Sequence, residues 1–336
     1  MYELLNKIAQ REHLSEIEID EVFSSMVKGE LDPIQISGLL MSLRTKGETP
    51  AEIAGAAKAL RDNALAFPRP DGPYVDVCGT GGDGSGSINI STATAIILAE
   101  MGISVTKHGN RSISSKCGSA DLLEMFGIKL DPVPEVARRC LDEVGICFLF
   151  APQYHVGLRH AMPVRKMLRV RTMFNILGPL VNPAAPPIQL MGVYDPELVL
   201  PIAKTLQLLG VKKALVVHGD GLDEISISGP TVAALADETG VHELEITPEQ
   251  AGLQLFEVSE LDGGDPTKNH KAIEALLAGK GAPAHEATVA INAGAAAWIA
   301  GYAKDVKHGA EMAKHAIRSG KALSRVQRWA EISHGA

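Results

Sequence analysis

Two polar loops carry most of the chemistry that this sequence can perform, and each follows a short apolar segment. The first loop, Gly79-Thr-Gly-Gly-Asp-Gly84, comes after the strand-like residues 74–78. The second, residues 107–115, follows the apolar residues 103–106. Glycine-rich backbone offers N–H groups to phosphate oxygens, and Lys107 adds positive charge. Two such loops at neighbouring strand ends predict one ligand with more than one phosphate.

Hydroxyl and amide side chains around both loops extend the set of candidate phosphate ligands. A helix that begins near Asn89 would present free N–H groups and the positive end of its dipole to an anion. Ser87, Ser91 and Thr92 add hydroxyls beside it. The second loop contributes Lys107, Asn110, Arg111, Ser112, Ser114 and Ser115. Each loop has a purely structural alternative: the first could be a capped tight turn, and the second a solvated loop. His108 could equally be a histidine that packs for its shape and has no chemical role.

The first loop also matches the dinucleotide pattern G-x-G-x-x-G, which starts at Gly79. A nicotinamide enzyme needs an acidic residue about 20 positions further on to hold the ribose hydroxyls. The end of the second predicted strand, where that acid would have to lie, carries Lys107 and His108 instead, and no acid lies between there and Asp121. Asp83 inside the loop would also repel a bare pyrophosphate. The sequence therefore disfavours a nicotinamide cofactor.

A pair of adjacent carboxylates, Asp223 and Glu224, follows the strand-like residues 213–218. Mg²⁺ takes few protein ligands and bridges phosphate oxygens, so this pair suits a metal that also stabilises a departing pyrophosphate. Micromolar binding requires about 8 kcal/mol, whereas a helix terminus supplies only about 0.3–2 kcal/mol. A polyphosphate ligand therefore needs the cationic side chains and favours an acid-bound Mg²⁺. An ordinary acidic turn is the alternative.

Three arginines, Arg165, Arg169 and Arg171, follow one another closely. A guanidinium can hold a carboxylate by two parallel hydrogen bonds, each worth about 1.5–3 kcal/mol as a charged bond. This part of the chain therefore offers a site for a ligand carboxylate. Spacing alone leaves open which arginine faces a cleft, and a surface or interdomain ion pair is the alternative for each.

The bulk composition is typical of a soluble enzyme. The chain has 336 residues, 46% of them hydrophobic and 21% charged, and a formal net charge of −8. A nucleic-acid surface would need a basic excess, and no run approaches the roughly 20 apolar residues of a membrane span. The four cysteines lack C-x-x-C spacing and the N-terminus lacks a signal pattern, so we expect a reducing, cytoplasmic location.

The elements that must position these residues change type along the chain. Residues 1 to about 65 have helical spacing, with Asp32 and Thr49 as N-caps before a proline at the first helical position. From residue 74 strands and helices alternate, which indicates a mainly parallel sheet covered on both faces. The predicted strands are 74–78, 103–107, 146–151, 188–194 and 213–218, and the predicted helices are 89–101, 119–126, 133–144 and 197–209.

The remaining segments have other patterns. Residues 160–180 lack strand character and are predicted helical, before a turn at 178–183. Residues 231–236 and 241–246 could form a β pair. The chain ends in predicted helices at 286–302 and 307–332.

Long motifs, found in the expected order along nearly the whole chain, resemble those of the anthranilate phosphoribosyltransferase family. They are Gly79-Thr-Gly-Gly-Asp83, Asn89-Ile-Ser-Thr92, Lys107-His-Gly-Asn-Arg-Ser-Ile-Ser-Ser115, Gly118-Ser-Ala-Asp121, Phe150-Ala-Pro152, Pro163-Val-Arg165, Arg171-Thr172, Asn175-Ile-Leu-Gly-Pro179, Gly192-Val-Tyr-Asp-Pro196 and Asp223-Glu224. The resemblance implies an α/β fold of the nucleoside phosphorylase and phosphoribosyltransferase kind. A small all-helical N-terminal domain (1–66 plus about 163–183) would be joined by a hinge (67–73) to a larger α/β domain (74–162 and 184–336).

The resemblance also implies a reaction. The family joins anthranilate to 5-phosphoribosyl 1-pyrophosphate (PRPP), giving N-(5-phosphoribosyl)anthranilate and pyrophosphate in tryptophan biosynthesis, with Mg²⁺ as cofactor. Its members commonly dimerise through the helical domain, so we expect a homodimer. No nucleic-acid or membrane partner is expected.

Residue roles follow from the same resemblance. The PRPP site would be lined by Gly79, Gly82, Asp83, Ser87, Asn89, Ser91, Thr92, Lys107, Ser115 and Ser119, with Ile90, His108 and Arg111 completing the substrate-binding set. Gly79, Asn110 and Arg165 would contact anthranilate, with Arg165 on its carboxylate. Ser91, Asp223 and Glu224 would hold Mg²⁺. No general base is assigned, and His108 is the nearest candidate.

Two other functions compete with this one. A pyrimidine nucleoside phosphorylase has a related fold, but it would be longer, would carry a Ser-Arg pair in place of Gly109-Asn110-Arg111, and handles a single phosphate. A phosphorylase of this kind would give the Asp223-Glu224 pair no role as a metal site. A non-catalytic relative that binds nucleic acid is disfavoured by the net charge of −8 and by the presence of Arg165 with the acidic pair.

Overall fold

The computed structural model describes residues 1–112 and 116–335 of the chain. The helices are α1 (Tyr2–Ala9), α2 (Glu16–Lys28), α3 (Pro33–Lys46), α4 (Pro50–Asp62), α5 (Ile90–Glu100), α6 (Ser119–Met125), α7 (Pro134–Val144), α8 (Ala151–Tyr154), α9 (Met162–Leu168), α10 (Phe174–Leu180), α11 (Val199–Leu208), α12 (Pro266–Leu277), α13 (Pro283–Ile299), α14 (Val306–Arg318) and α15 (Lys321–Ser333). The strands are β1 (Val75–Gly79), β2 (Val105–Gly109), β3 (Ile146–Phe150), β4 (Ile188–Gly192), β5 (Lys213–Gly219), β6 (Thr231–Asp237) and β7 (Gly240–Ile246).

Side-chain caps fix the starts of the first helices. Ser15, Asp32 and Thr49 each accept a hydrogen bond from the backbone N–H three residues on, at 3.2, 2.9 and 3.3 Å. The Glu or Gln side chain at that third position accepts a hydrogen bond from the backbone N–H of the cap residue, which completes a capping box. Proline follows Asp32 and Thr49 at the first helical position. The two predicted N-caps are therefore confirmed.

The strands form one sheet in the order β3-β2-β1-β4-β5-β6-β7. Neighbours from β3 to β5 are parallel, and β6 and β7 continue the sheet in antiparallel pairs. The mainly parallel sheet and the β pair predicted from the sequence are both confirmed. Because β1 pairs with both β2 and β4, the strand order reverses at β1, and a crevice opens beyond the carboxyl ends of these strands.

One face of the sheet is covered by a layer built around α5, whose residues from Thr92 to Ala99 are all buried. Helix α13 packs against it and is itself crossed closely by α14. Gly294 and Gly309 form that crossing, since a Cβ at Gly309 would lie only 2.7 Å from the Gly294 Cα. Within the described part of the chain, no helix is long and apolar enough to span a membrane.

The helical residues at the N-terminus share a second apolar cluster with α9 and α10. Phe23 and Phe174 pack with their ring centroids 6.1 Å apart, and Leu40 and Val164 are buried in the same cluster. The cluster extends to the sheet through residues such as Val216. The chain segment around 163–180 thus packs with the first four helices, and the division of the chain into two hinged domains stays a prediction.

Three differences from the predicted elements have local causes. The predicted helix 307–332 is two helices, because Gly320 takes a left-handed φ of 68° between α14 and α15. The predicted turn at 178–183 begins only after Leu180, because α10 runs from Phe174 to Leu180 and accommodates Pro179 near its end. Helix α12 was missed, although Asp265 caps it by accepting a bond from Lys268 N–H at 2.9 Å.

Candidate active site

A cleft of about 400 Å³ opens at the carboxyl ends of β1 and β2. The two polar loops, the first turn of α5 and the segment after β5 bring most of the predicted ligand residues to its wall. Those residues are Gly79, Gly82, Asp83, Ser87, Asn89, Ile90, Ser91, Thr92, Lys107, His108, Asn110, Arg111, Ser119, Arg165, Asp223 and Glu224. Ser114 and Ser115 lie outside the described residues. The individual ligand roles stay predictions.

The glycine loop has a backbone that glycine alone adopts readily. Gly81, Gly82 and Gly84 have φ values of 68°, 74° and 78°, in the left-handed region that penalises a Cβ. A side chain at Gly79 is excluded for a different reason, because its Cβ would overlap the carboxylate of Asp223. The Gly81 N–H donates to Asp223 Oδ2 at 2.7 Å. The loop is therefore folded around this carboxylate.

Asp223 and Glu224 lie where their negative charges are poorly stabilised. Burial, together with the neighbouring Asp83 carboxylate, raises the pKa of Asp223 to about 7. Burial and the charge of Asp223 raise the pKa of Glu224 well above its ordinary value, against the opposing charge of Lys107. A divalent cation would offset this repulsion and favour both ionised forms.

The donor set at this point fits Mg²⁺ bound together with a phosphate. Among residues 1–112 and 116–335, no group of three or more His, Cys, Asp or Glu side chains could hold a metal by itself. A cation beside Asp223 and Glu224 would thus need further oxygen ligands from a substrate. Mg²⁺ characteristically binds to one or two carboxylates and completes its shell with water and phosphate oxygens.

Lys107 is a buried cation close to these carboxylates, with only 2% of its surface exposed. Its Nζ donates to the Val77 carbonyl at 2.8 Å and to Ser91 Oγ at 3.3 Å. The backbone N–H of Ser91 lies near the Glu224 carboxyl group and partly opposes the rise in its pKa. Lys107, the first turn of α5 and the acidic pair therefore form one connected set of polar groups.

Arg111 makes its ion pairs inside the second loop and α6. Its guanidinium lies 3.0 Å from Asp121 and 2.9 Å from Glu124, and Glu124 followed by Asp121 raises its pKa. A phosphate at this position would have to compete with two carboxylates for the guanidinium. The predicted phosphate contact of Arg111 thus has a structural competitor that the sequence motif did not reveal.

Apolar and neutral side chains line the part of the cleft that residues 155–181 contribute. The Arg165 guanidinium lies over the ring of Phe174, 4.9 Å from its centroid. Burial alone lowers the pKa of Arg165, and no ion pair of Arg165 is found among the described residues. A buried guanidinium beside an aromatic ring is complementary to an aromatic carboxylate.

His108 and His155 are neutral neighbours whose ring centroids lie 5.3 Å apart. Burial lowers the pKa of His108 well below its ordinary value and that of His155 to about 4. Nδ1 of His108 is 3.1 Å from the Gly178 carbonyl oxygen. A carbonyl only accepts, so the proton lies on Nδ1 and the lone pair on Nε2. His108 is thus a hydrogen-bond acceptor with little basicity at neutral pH.

Comparison with known proteins assigns this chain to a family. A glycosyl transferase helical bundle domain matches residues 2–64, and a glycosyl transferase a/b domain matches residues 71–323. Anthranilate phosphoribosyltransferases of Sorangium cellulosum and Aeromonas hydrophila are each 53% identical to this chain, over 99% of it and 96% and 98% of their own lengths. This chain belongs to the anthranilate phosphoribosyltransferase family.

Solved structures agree with this assignment. A crystal structure of anthranilate phosphoribosyltransferase from Thermus thermophilus superposes with a TM-score of 0.92 at 39% identity, covering 98% of this chain and 99% of that one. The Saccharomyces cerevisiae anthranilate phosphoribosyltransferase, in complex with PRPP and Mg, gives a TM-score of 0.89 at 27% identity, covering 99% and 97%. The resemblance predicted from the motifs is confirmed.

The structure adds site residues that the anthranilate phosphoribosyltransferase motifs left without a function. Arg171 Nη2 donates to the Gly82 carbonyl at 2.6 Å, and its guanidinium lies 4.0 Å from the ring centroid of Tyr194. Spacing could not separate Arg171 from its neighbouring arginines. No local sequence pattern identified His155 and Phe174 as cleft residues either, because their place in the cleft depends on how residues 155–181 fold against β2.

Proposed function

We propose that this chain transfers the phosphoribosyl group of PRPP to the amine of anthranilate, forming N-(5-phosphoribosyl)anthranilate and pyrophosphate in tryptophan biosynthesis. One observation carries the proposal. A single cleft joins a glycine loop and two carboxylates to a neutral, partly aromatic wall with the guanidinium of Arg165. The first part suits a metal-bound polyphosphate, and the second suits an aromatic carboxylate.

At the donor part, the phosphates of PRPP would meet the backbone of the glycine loop and the start of α5, where N–H groups and the helix dipole favour anions. Lys107 adds a buried positive charge beside Ser91. Asp223, Glu224 and Ser91 would hold Mg²⁺, which when bound supplies positive charge to the departing pyrophosphate. The raised pKa values of the two carboxylates support this assignment.

At the acceptor part, Arg165 would hold the anthranilate carboxylate and Phe174 would contact its ring. Asn110 and Gly79 also line the cleft and would meet the acceptor near the donor loop. The neutral imidazoles of His108 and His155 leave Arg165 as the charged group that decides binding here. A carboxylate on an aromatic ring is therefore favoured over an uncharged acceptor.

The reaction needs no strong general base before the amine attacks. An aryl amine is already neutral at pH 7, so its nitrogen can attack the anomeric carbon with inversion as pyrophosphate leaves and oxocarbenium-like charge develops. The new C–N bond replaces the C–O bond to pyrophosphate, and the proton that the nitrogen then loses passes to pyrophosphate or to water. The residues of the cleft contribute by positioning the two substrates and by stabilising the leaving group. His108 lines the cleft, but its low pKa makes it a poor general base.

The assembly is part of the proposal as well. Tyr2, Ile17 and Ile34 are 79%, 70% and 83% exposed on the N-terminal helices, and apolar side chains this exposed favour burial against another surface. We assign that surface to a second copy of the chain, giving a homodimer through the helical domain, with residues 67–73 as the hinge to the α/β domain.

The experiment follows anthranilate fluorescence after PRPP is added, with and without Mg²⁺. The proposal expects a loss of fluorescence that requires the metal. Thymidine phosphorolysis by the same protein would instead support a nucleoside phosphorylase. Retention on heparin or single-stranded DNA at low salt, without either turnover, would support a non-catalytic relative. Either of those results would overturn the proposal.

A further inference from the structure

A third segment, residues 261–269, pairs with and so braces residues 86–88, which join the glycine loop to α5. The Ile88 N–H donates to the Leu261 carbonyl at 2.9 Å, and the Gly263 N–H donates to the Gly86 carbonyl at 2.8 Å. Ser87 and Asp262 form an antiparallel bridge between these bonds. The approach is close, and a Cβ at Gly263 would lie 2.5 Å from the Ser87 carbonyl oxygen. The loop is thus held by a segment distant in sequence.

Asn269, in the first turn of α12, connects this brace to Asn89 at the start of α5 and, through it, to Cys117 just before α6. Its side chain is buried, with 1% exposed. Its Nδ2 donates to Asn89 Oδ1 at 2.8 Å, and Asn89 Nδ2 donates to the Cys117 carbonyl at 3.0 Å. Asn269 Oδ1 accepts the Gly264 N–H at 2.7 Å. Four backbone and side-chain groups from three loops therefore meet along one chain of hydrogen bonds.

The orientation of both amides is fixed by the backbone groups at the two ends. A backbone N–H at Gly264 needs an acceptor, so Asn269 must present its oxygen there and its nitrogen to Asn89. A carbonyl at Cys117 needs a donor, so Asn89 must present its nitrogen there and its oxygen to Asn269. Neither amide can flip without breaking two bonds. The pair therefore specifies one relative position of the loops.

We propose that Asn269 is a positioning residue that couples, through Asn89, the start of α5 after the glycine loop to residues 116–118 before α6. The effect on catalysis rests on the proposed function, because Asn89 lies at the start of α5 beside the predicted PRPP phosphates. The Asn89 amide is engaged by Cys117 and Asn269, so its contribution is to hold the first turn of α5 and residues 116–118 in register. Substrate would meet loops that are already arranged.

Asn269→Asp is the most informative substitution. It keeps an oxygen for the Gly264 N–H but removes the donor to Asn89, so one oxygen would face another. Asn89 would have to flip, and its bond to the Cys117 carbonyl would be lost. Loss of these buried bonds is expected to raise the Michaelis constant for PRPP about tenfold, with that for anthranilate unchanged. Thr267→Ala, an exposed position on the same helix, is the matched control.

Hydrogen exchange of the ligand-free protein tests the coupling independently of activity. Asn269→Asp should speed amide exchange in both residues 84–89 and residues 116–119, while Thr267→Ala leaves both at the wild-type rate. Gly263→Ala, which disturbs the brace itself, should speed exchange at 84–89 and keeps the test available if Asn269→Asp folds poorly. Wild-type exchange at 116–119 in Asn269→Asp would overturn the proposal. If the wild type fails to turn over anthranilate, the proposed function fails while the exchange result still decides the coupling.

Discussion

The carboxylate of Asp223 occupies the space that a side chain at Gly79 would need. Gly79 ends β1, and the backbone of Asp223 presses in the same way on Gly192, which ends β4. Two neighbouring strands therefore end in glycine so that the acidic segment after β5 can cross their carboxyl ends. The position of the predicted metal ligands depends on the absence of two side chains.

Gly79→Ala should disable the donor site while the fold persists. The added methyl must displace Asp223 and break its bond to the Gly81 N–H, because β1 is fixed on both sides by parallel neighbours. Such overpacking costs about 1–3 kcal/mol, so kcat/KM for PRPP should fall about 10- to 100-fold. Gly229→Ala is the control, since no atom lies within 4 Å of its added Cβ. Equal kinetics for the two variants would contradict the steric argument.

Arg165→Ala should act on the acceptor alone. The guanidinium has no ion-pair partner in the described structure, so its charge is available to a ligand carboxylate. Loss of a charged hydrogen bond of about 1.5–3 kcal/mol predicts a Michaelis constant for anthranilate raised about 10- to 100-fold. The constant for PRPP should change far less. The exposed neighbouring substitution Lys166→Ala serves as the control, and equal effects on both substrates would remove Arg165 from its assigned role.

Local patterns predicted the parallel sheet and the two helix caps, whereas the full set of residues that converge on the cleft came from the resemblance to the family. It could not predict contacts made by distant segments. Arg111 stays a predicted phosphate ligand, but its ion pair with Glu124, which α6 brings to the guanidinium, was not predictable from the motif. Asn269 carried no motif at all, since its importance comes only from the packing of α12 beside the glycine loop. The chemistry of a residue can be predicted from its type, whereas the residues that contact it are known only from the folded chain.

Replacing Asp223 and Glu224 with Asn and Gln should weaken the response to Mg²⁺ in the presence of PRPP. The amides keep the shapes of the side chains but remove the charges that a hard cation requires. The wild type should show a Mg²⁺-dependent rise in thermal midpoint, and the double variant should show a smaller one. Protons compete with the metal for Asp223, whose pKa is about 7, so the wild-type rise should be larger at pH 8 than at pH 6. An unchanged titration in the variant would exclude these carboxylates as ligands.

Asp76 provides a test of stability that is separate from substrate binding. Its side chain is fully buried in β1, where Asn182 Nδ2 donates to Oδ2 at 2.9 Å. Burial raises its pKa to about 6 from the ordinary 3.8, although the charge of Lys107 and the bond from Asn182 oppose the shift. Between these two pH values the folded state binds more protons than the unfolded state. Its stability must therefore fall as pH rises through that window.

Asp76→Asn removes this titrating group while preserving an oxygen for Asn182. The stability of the wild type relative to the variant should fall by about 2 kcal/mol between pH 4 and pH 7, from a pKa shift worth about 1.4 kcal/mol per unit. Urea unfolding of the two proteins side by side at each pH measures the difference, since other titrating groups cancel. Asp71→Asn, an exposed position five residues earlier, is the control for loss of one carboxylate. A difference between wild type and Asp76→Asn that is constant with pH would show that the Asp76 carboxylate is as well stabilised in the fold as in water.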